Sequence, residues 1–248
     1  MFKDKNIIGV IPARYNSSRF LGKLLEEIFE KSVLQRTFEM AKRSKYLSKL
    51  FIATDHEKIA NHASKFCENI ILTCPSCING TFRIIEAMDK ENEIFSSDII
   101  VNIQGDHPCI SPSSLDKVII QLLNDENAEI ATACSRITEK QDFLSPNVVK
   151  CVFDNNYNAL YFSRSPIPYC KDFLKINAFH HYGIYAYKTS FLKILKNLKT
   201  SPLQEIEDLE QLNFLEHGYK IKIALVDEII PSVDVPEDIK KVEKYLCQ

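Results

Sequence analysis

The chain has 248 residues, 45% of them hydrophobic and 26% charged, which is enough for one large α/β domain or two small ones. Its 31 basic and 33 acidic residues leave a formal net charge of -2, so no global positive field exists to hold nucleic acid and any anion site must be a local cluster of cations. No apolar run approaches the roughly 20 residues of a membrane span, the opening MFKDKNIIGV lacks a signal-peptide pattern, and the expected location is the cytoplasm.

From the N-terminus, NIIGVIPA predicts a buried strand. Directly after it, IPARYNSSRFLGKLL (Ile11 to Leu25) exposes Arg14, Arg19 and Lys23 among Asn16, Ser17, Ser18 and Gly22. Cations and backbone N–H groups at a strand-to-helix junction suit a polyphosphate, with Gly22 letting the backbone pass close to it; a solvated basic turn is the alternative. Arg14 and Lys23 could offset charge on an α-phosphate. The spacing is not that of a P-loop, because no GxxxxGK[ST] is present. LLEEIFEKSVLQRTFEMAKRSKYL predicts a helix, KLFIATD a strand, HEKIANHASKF a helix and NIILTC a strand.

CPSC, from Cys74 to Cys77, carries the one CxxC spacing among eight scattered cysteines and precedes INGT, which reads as a loop. Without a second CxxC or a nearby histidine pair it does not predict zinc, and reduced thiols are expected. GTFRIIEAMDK predicts a helix opened by a Gly-Thr turn, SDIIVNIQGD a buried strand, SPSSLDKVIIQLLND a helix and EIATACSRI a strand. Alternating strands and helices imply a mostly parallel sheet, whose ligands sit beyond the carboxyl ends of the strands. Those ends carry PARYNSSR, TDHE, CPSCINGT and QGDHP. Asp106, one glycine past a buried strand, suits Mg2+, which takes one or two carboxylates plus phosphate oxygens; a turn-forming role is the alternative.

After Pro146 the texture changes. VKCVFDNNYNALYFSRSPIPY predicts two strands around an Asn-rich turn, and HHYGIYAYKTSFLKIL a strand then a helix. SPLQEIEDLEQLNFLEHG predicts one helix with Gly218 as its C-cap, placing Glu207 and Gln211 on one face with Glu210 beside them. KIKIALVDEI predicts a strand, and VPEDIKKVEKYL a final helix that Asp234 could cap if it does not hold metal. Arg164, one of the adjacent pair His180 and His181, and the Glu/Gln cluster suit a polyhydroxy acid, with Arg164 clamping its carboxylate. One domain over 1–248 is expected, with a nucleotide-binding half over about 1–145 and a sugar-binding, dimerising half over about 146–248.

In order, IPARYNSSRFLGKLL, ATDHEKI, NGTFR, VNIQGDHP, ALYFSRSPIPY, HHYGIYAY, LEQLNFLEHG and VDVPEDIKKVE resemble the 3-deoxy-manno-octulosonate (Kdo) cytidylyltransferases over nearly the whole chain. The resemblance implies a Rossmann-like nucleotidyltransferase sheet, a homodimer joined through the antiparallel extension, and Mg2+-dependent conversion of CTP and Kdo to CMP-Kdo and diphosphate for lipopolysaccharide synthesis. It implies that Ala13, Arg14, Arg19, Lys23, Thr81, Arg83 and Gln104 bind CTP, with Arg14, Lys23 and Asp106 catalytic. It implies Asp106 and Asp234 as metal ligands, and Arg164, His181, Tyr185, Glu210 and Gln211 as sugar contacts. The chain departs from the family pattern at Leu21 and Leu24, where prolines stand in RxPGKPL, at Phe82 in GTE/DR and at His107 in GDEP. It also has Glu30-Lys31-Ser32 about where family loops carry Gly-Lys-Pro. Two fewer prolines predict a more mobile phosphate loop. The alternatives are a transferase for another ulosonic acid, such as 8-amino-Kdo or a sialic-acid-like sugar, and a catalytically silent relative.

Overall fold

A computed structural model describes residues 5–17, 19–227 and 230–247. Ser18 of the cationic loop and positions 228–229 at the end of the last predicted strand lie outside the described residues.

In chain order the structure runs β1 (Ile7–Ala13), a 3-10 turn (Lys23–Leu25), β2 (Glu27–Ile28), β3 (Lys31–Ser32), α1 (Val33–Ala41), β4 (Lys49–Thr54), α2 (Glu57–Ala63) and β5 (Ile70–Leu72). It continues through α3 (Gly80–Lys90), α4 (Asn92–Phe95), β6 (Ile99–Asn102), α5 (Pro112–Leu123), β7 (Ile130–Arg136), α6 (Lys140–Leu144), β8 (Lys150–Phe153) and β9 (Ala159–Ser163). It ends with β10 (Phe179–Lys188), α7 (Thr189–Leu195), α8 (Pro202–Glu207), α9 (Glu210–Glu216), β11 (Ile221–Leu225) and α10 (Asp238–Leu246). The architecture is mixed α/β with a mostly parallel sheet and some antiparallel strands. Among the described residues no helix is long and apolar enough to cross a membrane.

Two compact units interleave along the chain: residues 1–116, 187–196 and 230–248 form the first, and residues 117–186 and 197–229 the second. In the first unit β6, β1, β4 and β5 lie side by side and all parallel. All seven residues of β1 are buried, as the apolar run of a central parallel strand requires. Parallel strands bring the loops after β1, β4 and β6 to one end of the sheet. In the second unit β11 pairs parallel with β7, while β8 pairs antiparallel with both β10 and β9. The β8–β9 turn forms because the Asp154 carboxylate accepts the N–H groups of Asn156 and Asn158, with Tyr157 at φ 60.

Two expectations and one alternative reading are corrected. The helix predicted from Leu24 begins only at Val33, because the preceding residues fold into the β2–β3 hairpin. Its turn residues Phe29 (φ 46) and Glu30 (φ 65) are both left-handed, as a two-residue hairpin demands. Arg36 offsets that strain by donating to the carbonyls of both Ile28 and Phe29, and Ser32 caps α1 by accepting from Gln35 N. The single helix predicted over SPLQEIEDLEQLNFLEHG is two, because Asp208 adopts φ 51, ψ 50 and ends α8. Glu207 and Gln211 therefore do not share a helix face. Asp234 does not cap α10: the carboxylate of Asp238 accepts the N–H groups of Asp234 and Val235, leaving the Asp234 side chain for other work.

Candidate active site

The loop after β1 is held at both ends. The Tyr15 N–H donates to Asp55 Oδ1 at 3.1 Å, and the Tyr15 ring stacks on His56 at 4.2 Å. Gly22 closes the loop by donating its N–H to the Tyr15 carbonyl at 3.1 Å. Its φ of 70 is open to glycine and strained for other residues, although an added Cβ would meet only ordinary contact with the Tyr15 ring at 3.5 Å. Gly22→Ala is expected to cost about 1–2 kcal/mol, read as a Tm drop of a few degrees; an unchanged Tm would mean the loop relaxes freely.

Lys23 follows and turns inward. Its Nζ lies 2.6 Å from Asp106 Oδ2 and 3.1 Å from Asp234 Oδ1, and Arg19 donates to the same Asp234 oxygen at 2.9 Å. The chain before Asp234 is fixed to the β6 loop, since Val233 N–H donates to the Asp106 carbonyl at 2.9 Å. Burial pushes the Asp106 carboxyl up, but neighbouring positive charge from His107 and Lys23 and the Lys23 hydrogen bond outweigh it and hold it below its ordinary value. Burial lowers the basicity of His107 itself, while the Lys23 ammonium stands 2.6 Å from Asp106 Oδ2. His107, at the departure from GDEP, is buried with Nδ1 lacking a hydrogen-bond partner among the described residues.

Lys23, Asp106, Asp234 and Arg19 line a cleft of about 390 Å3 together with Pro12, Arg14, Ser17, Gln104, Gly105, Arg83 and the Cys77–Gly80 segment. Arg14 is exposed on its wall, while Ala13 is buried at the end of β1. Asn79 caps α3 through Oδ1, which accepts from Phe82 N at 2.9 Å. Arg83 is 3% exposed; it donates to Asp55 Oδ2 at 2.9 Å and to Thr73 Oγ1 at 2.5 Å. Thr81 is buried too, with its hydroxyl 3.4 Å from that of Tyr187. Gln104 Nε2 reaches Asn102 Oδ1 at 3.5 Å.

The second unit gathers the other predicted residues. Tyr185 donates to Gln211 Oε1 at 3.2 Å, and its ring centre is 5.5 Å from that of His181. Burial pushes His181 down to about 3, so it is neutral. The single Thr132 hydroxyl proton points to backbone carbonyls, so His181 Nε2–H is the donor to Thr132 Oγ1 at 2.9 Å. Glu210 begins α9 beside Gln211. Arg164 donates to the carbonyls of Glu207, Pro146 and Asp208, and its own N–H donates to the Glu207 carboxylate at 2.9 Å. Glu207 is thus the residue that orients Arg164, rather than a partner of Gln211. Buried Lys150 donates to the Arg164 carbonyl, adding a second hold.

Sequence reasoning missed Asp55, which binds the loop and Arg83 at once, and the Asn79 cap. The signal for Asp55 was an acid directly after the buried strand KLFIAT.

A parallel sheet whose carboxyl ends gather four cations and two carboxylates around one cleft defines a protein of the nucleotidyltransferase class. A family profile described as Cytidylyltransferase matches residues 8–223. A 3-deoxy-manno-octulosonate cytidylyltransferase of Protochlamydia amoebophila is 44% identical over 98% of this chain and 95% of its own. A mitochondrial one of Arabidopsis thaliana is 43% identical over 97% and 83%. The solved structure of a CMP:2-keto-3-deoxy-manno-octonic acid synthetase complexed with CTP superposes with a TM-score of 0.92 at 34% identity, covering 98% of this chain and 99% of that one. The chain belongs to the 3-deoxy-manno-octulosonate cytidylyltransferase family.

Proposed function

We propose that this protein transfers CMP from CTP to 3-deoxy-D-manno-octulosonate, releasing diphosphate, as a step toward lipopolysaccharide. The observation that carries this reading is Lys23, whose ammonium is gripped by Asp106 and Asp234 at the mouth of a parallel sheet. Phosphoryl transfer asks a protein chiefly for positioning and charge stabilisation. Arg14, Arg19 and Lys23 would neutralise the triphosphate, and α3 with Asn79, Arg83 and Gln104 would form the wall against the nucleoside. Arg164, His181, Tyr185, Glu210 and Gln211 are assigned to the sugar acid. Gln211 Nε2 is buried without a partner among the described residues, and a bound hydroxyl would satisfy it. A hydroxyl of the sugar attacks the α-phosphorus, and diphosphate leaves.

Asp106 and Asp234 are hard oxygen donors already converging on one cation, and among the described residues no third His, Cys, Asp or Glu completes a metal cluster. That set fits Mg2+, which takes one or two carboxylates and fills its shell with phosphate oxygens and water. Bound there, Mg2+ would supply Lewis-acid neutralisation of the phosphate charge. A homodimer in the cytoplasm is part of the reading; its support is the antiparallel arm, where β9 exposes Leu160.

Diphosphate release from purified protein should require CTP, Mg2+ and Kdo together, and release that persists without Kdo would defeat the reading. Lys23→Ala is expected to lower turnover about 100-fold, about 2.7 kcal/mol of transition-state stabilisation. Normal turnover in that variant would remove the loop from the mechanism.

A further inference from the structure

The CPSC stretch is not used by the proposed chemistry, yet it adjoins it. Cys77 N–H donates to the Cys74 carbonyl at 3.3 Å and closes a four-residue turn, with Pro75 at the position where its fixed φ favours one. The ends of such a turn lie within about 7 Å of each other, the separation a disulfide spans. Cys74 is exposed, and its sulfur sits 2.9 Å from Ser76 Oγ. Cys77 is half-buried; its thiol donates to Glu86 Oε2 at 3.0 Å, and the same carboxylate accepts the Cys74 N–H. Cys77 and Ile78 line the nucleotide cleft, and they also line a second cavity of about 280 Å3 with Phe82, Glu86 and Lys196. Two residues beyond Cys77, Asn79 caps α3.

We propose that Cys74 and Cys77 form a reversible disulfide that resets the wall of the nucleotide cleft, with a low-molecular-weight disulfide such as oxidised glutathione as oxidant. The Cys74 thiolate attacks one sulfur of that disulfide, giving a mixed disulfide and one free small thiol. Cys77 loses its proton through Glu86 to solvent and attacks Cys74 Sγ, and the second small thiol leaves with a proton. Two protein thiols are oxidised by two electrons, and the oxidant is reduced to two thiols. The roles follow exposure and acidity: the Ser76 hydrogen bond lowers the Cys74 pKa, whereas burial and Glu86 push Cys77 up to about 11, making Cys74 the attacker and Cys77 the resolver. The new bond takes the Cys77 S–H away from Glu86 and draws the Cys77–Asn79 segment toward Cys74. The consequence for CTP rests on the proposed function; the bond itself does not.

The test treats purified protein with oxidised glutathione and reads two quantities. Mass spectrometry of the alkylated digest should show the 74–77 peptide lighter by two hydrogens and free of glutathione. Calorimetry should show CTP affinity falling about tenfold and returning on reduction, while Cys74→Ser binds CTP equally before and after treatment. A stable glutathione adduct on Cys74, an unreacted peptide, or a disulfide that leaves CTP affinity unchanged would each overturn the proposal. Failure of the reduced protein to bind CTP would instead overturn the proposed function, with the mass spectrum still reporting the bond.

Discussion

Asp106→Ala is expected to lower Mg2+-dependent turnover about 10³-fold, about 4 kcal/mol. The carboxylate receives the Lys23 ammonium at 2.6 Å, and Lys23 in turn holds Asp234 at 3.1 Å. Alanine removes one wall of this arrangement and leaves Lys23 and Arg19 to crowd a single carboxylate. On the proposed reading, the position to which a metal would be drawn then carries half its protein charge, and Lys23 loses its nearer anchor. The backbone of Asp106 keeps its bond from Val233, so the fold should survive. Turnover measured at saturating Mg2+, beside a thermal melt, separates the two effects. A folded variant within tenfold of the parent would place the metal and the chemistry elsewhere.

The second large effect concerns stability. Asp55→Ala is expected to cost about 3–5 kcal/mol, because removing one partner of a buried ion pair leaves the other charge uncompensated. Arg83 and Asp55 are 3% and 9% exposed. With Asp55 gone, Thr73 Oγ1 is the remaining acceptor for the guanidinium among the described residues, and the Tyr15 N–H loses its own acceptor. A loss of that size is a large share of the roughly 5–15 kcal/mol that holds a domain together. Asp55→Asn should fall between the two, since an amide oxygen can still accept from Tyr15 but brings no charge to Arg83. Urea denaturation gives the comparison directly. An Asp55→Ala protein as stable as the parent would show that water reaches Arg83.

Both carboxylates occupy strand ends, and this is why part of the site was legible in the sequence. An apolar run followed at once by a glycine and an acid, as in VNIQGD, marks the end of a buried strand with few other uses for the charge. GTFRIIEAMDK matches α3 at both ends, because Asn79 and Gly80 punctuate its start and its apolar spacing is regular. The LLEEIFEK stretch misled for the opposite reason. Leu24, Leu25 and Ile28 continue a helical spacing, yet the hairpin there depends on Arg36 reaching back from the next helix, a long side chain whose target no local pattern reveals. The break at Asp208 is similar: the backbone turns left-handed so that Glu207 can receive Ser163 and the Arg164 N–H from another strand. Asp55 was visible as a residue but not as a partner, since its two bonds run to Tyr15 and Arg83, 40 and 28 positions away.

The interleaving of the two units bears on the order in which the cleft comes into being during synthesis. Lys23 meets one carboxylate 83 positions downstream and the other 211 positions downstream. A nascent chain that has emerged through Asp106 already holds the loop, Lys23 and that carboxylate, but the second unit must be made before residues 230–248 arrive to supply Asp234. Domains fold as units from the N-terminus while translation proceeds at about 5–20 residues per second. For about 6–26 seconds, then, the half-built cleft presents Lys23 to a lone acid, and the last segment docks into a preformed sheet rather than nucleating it.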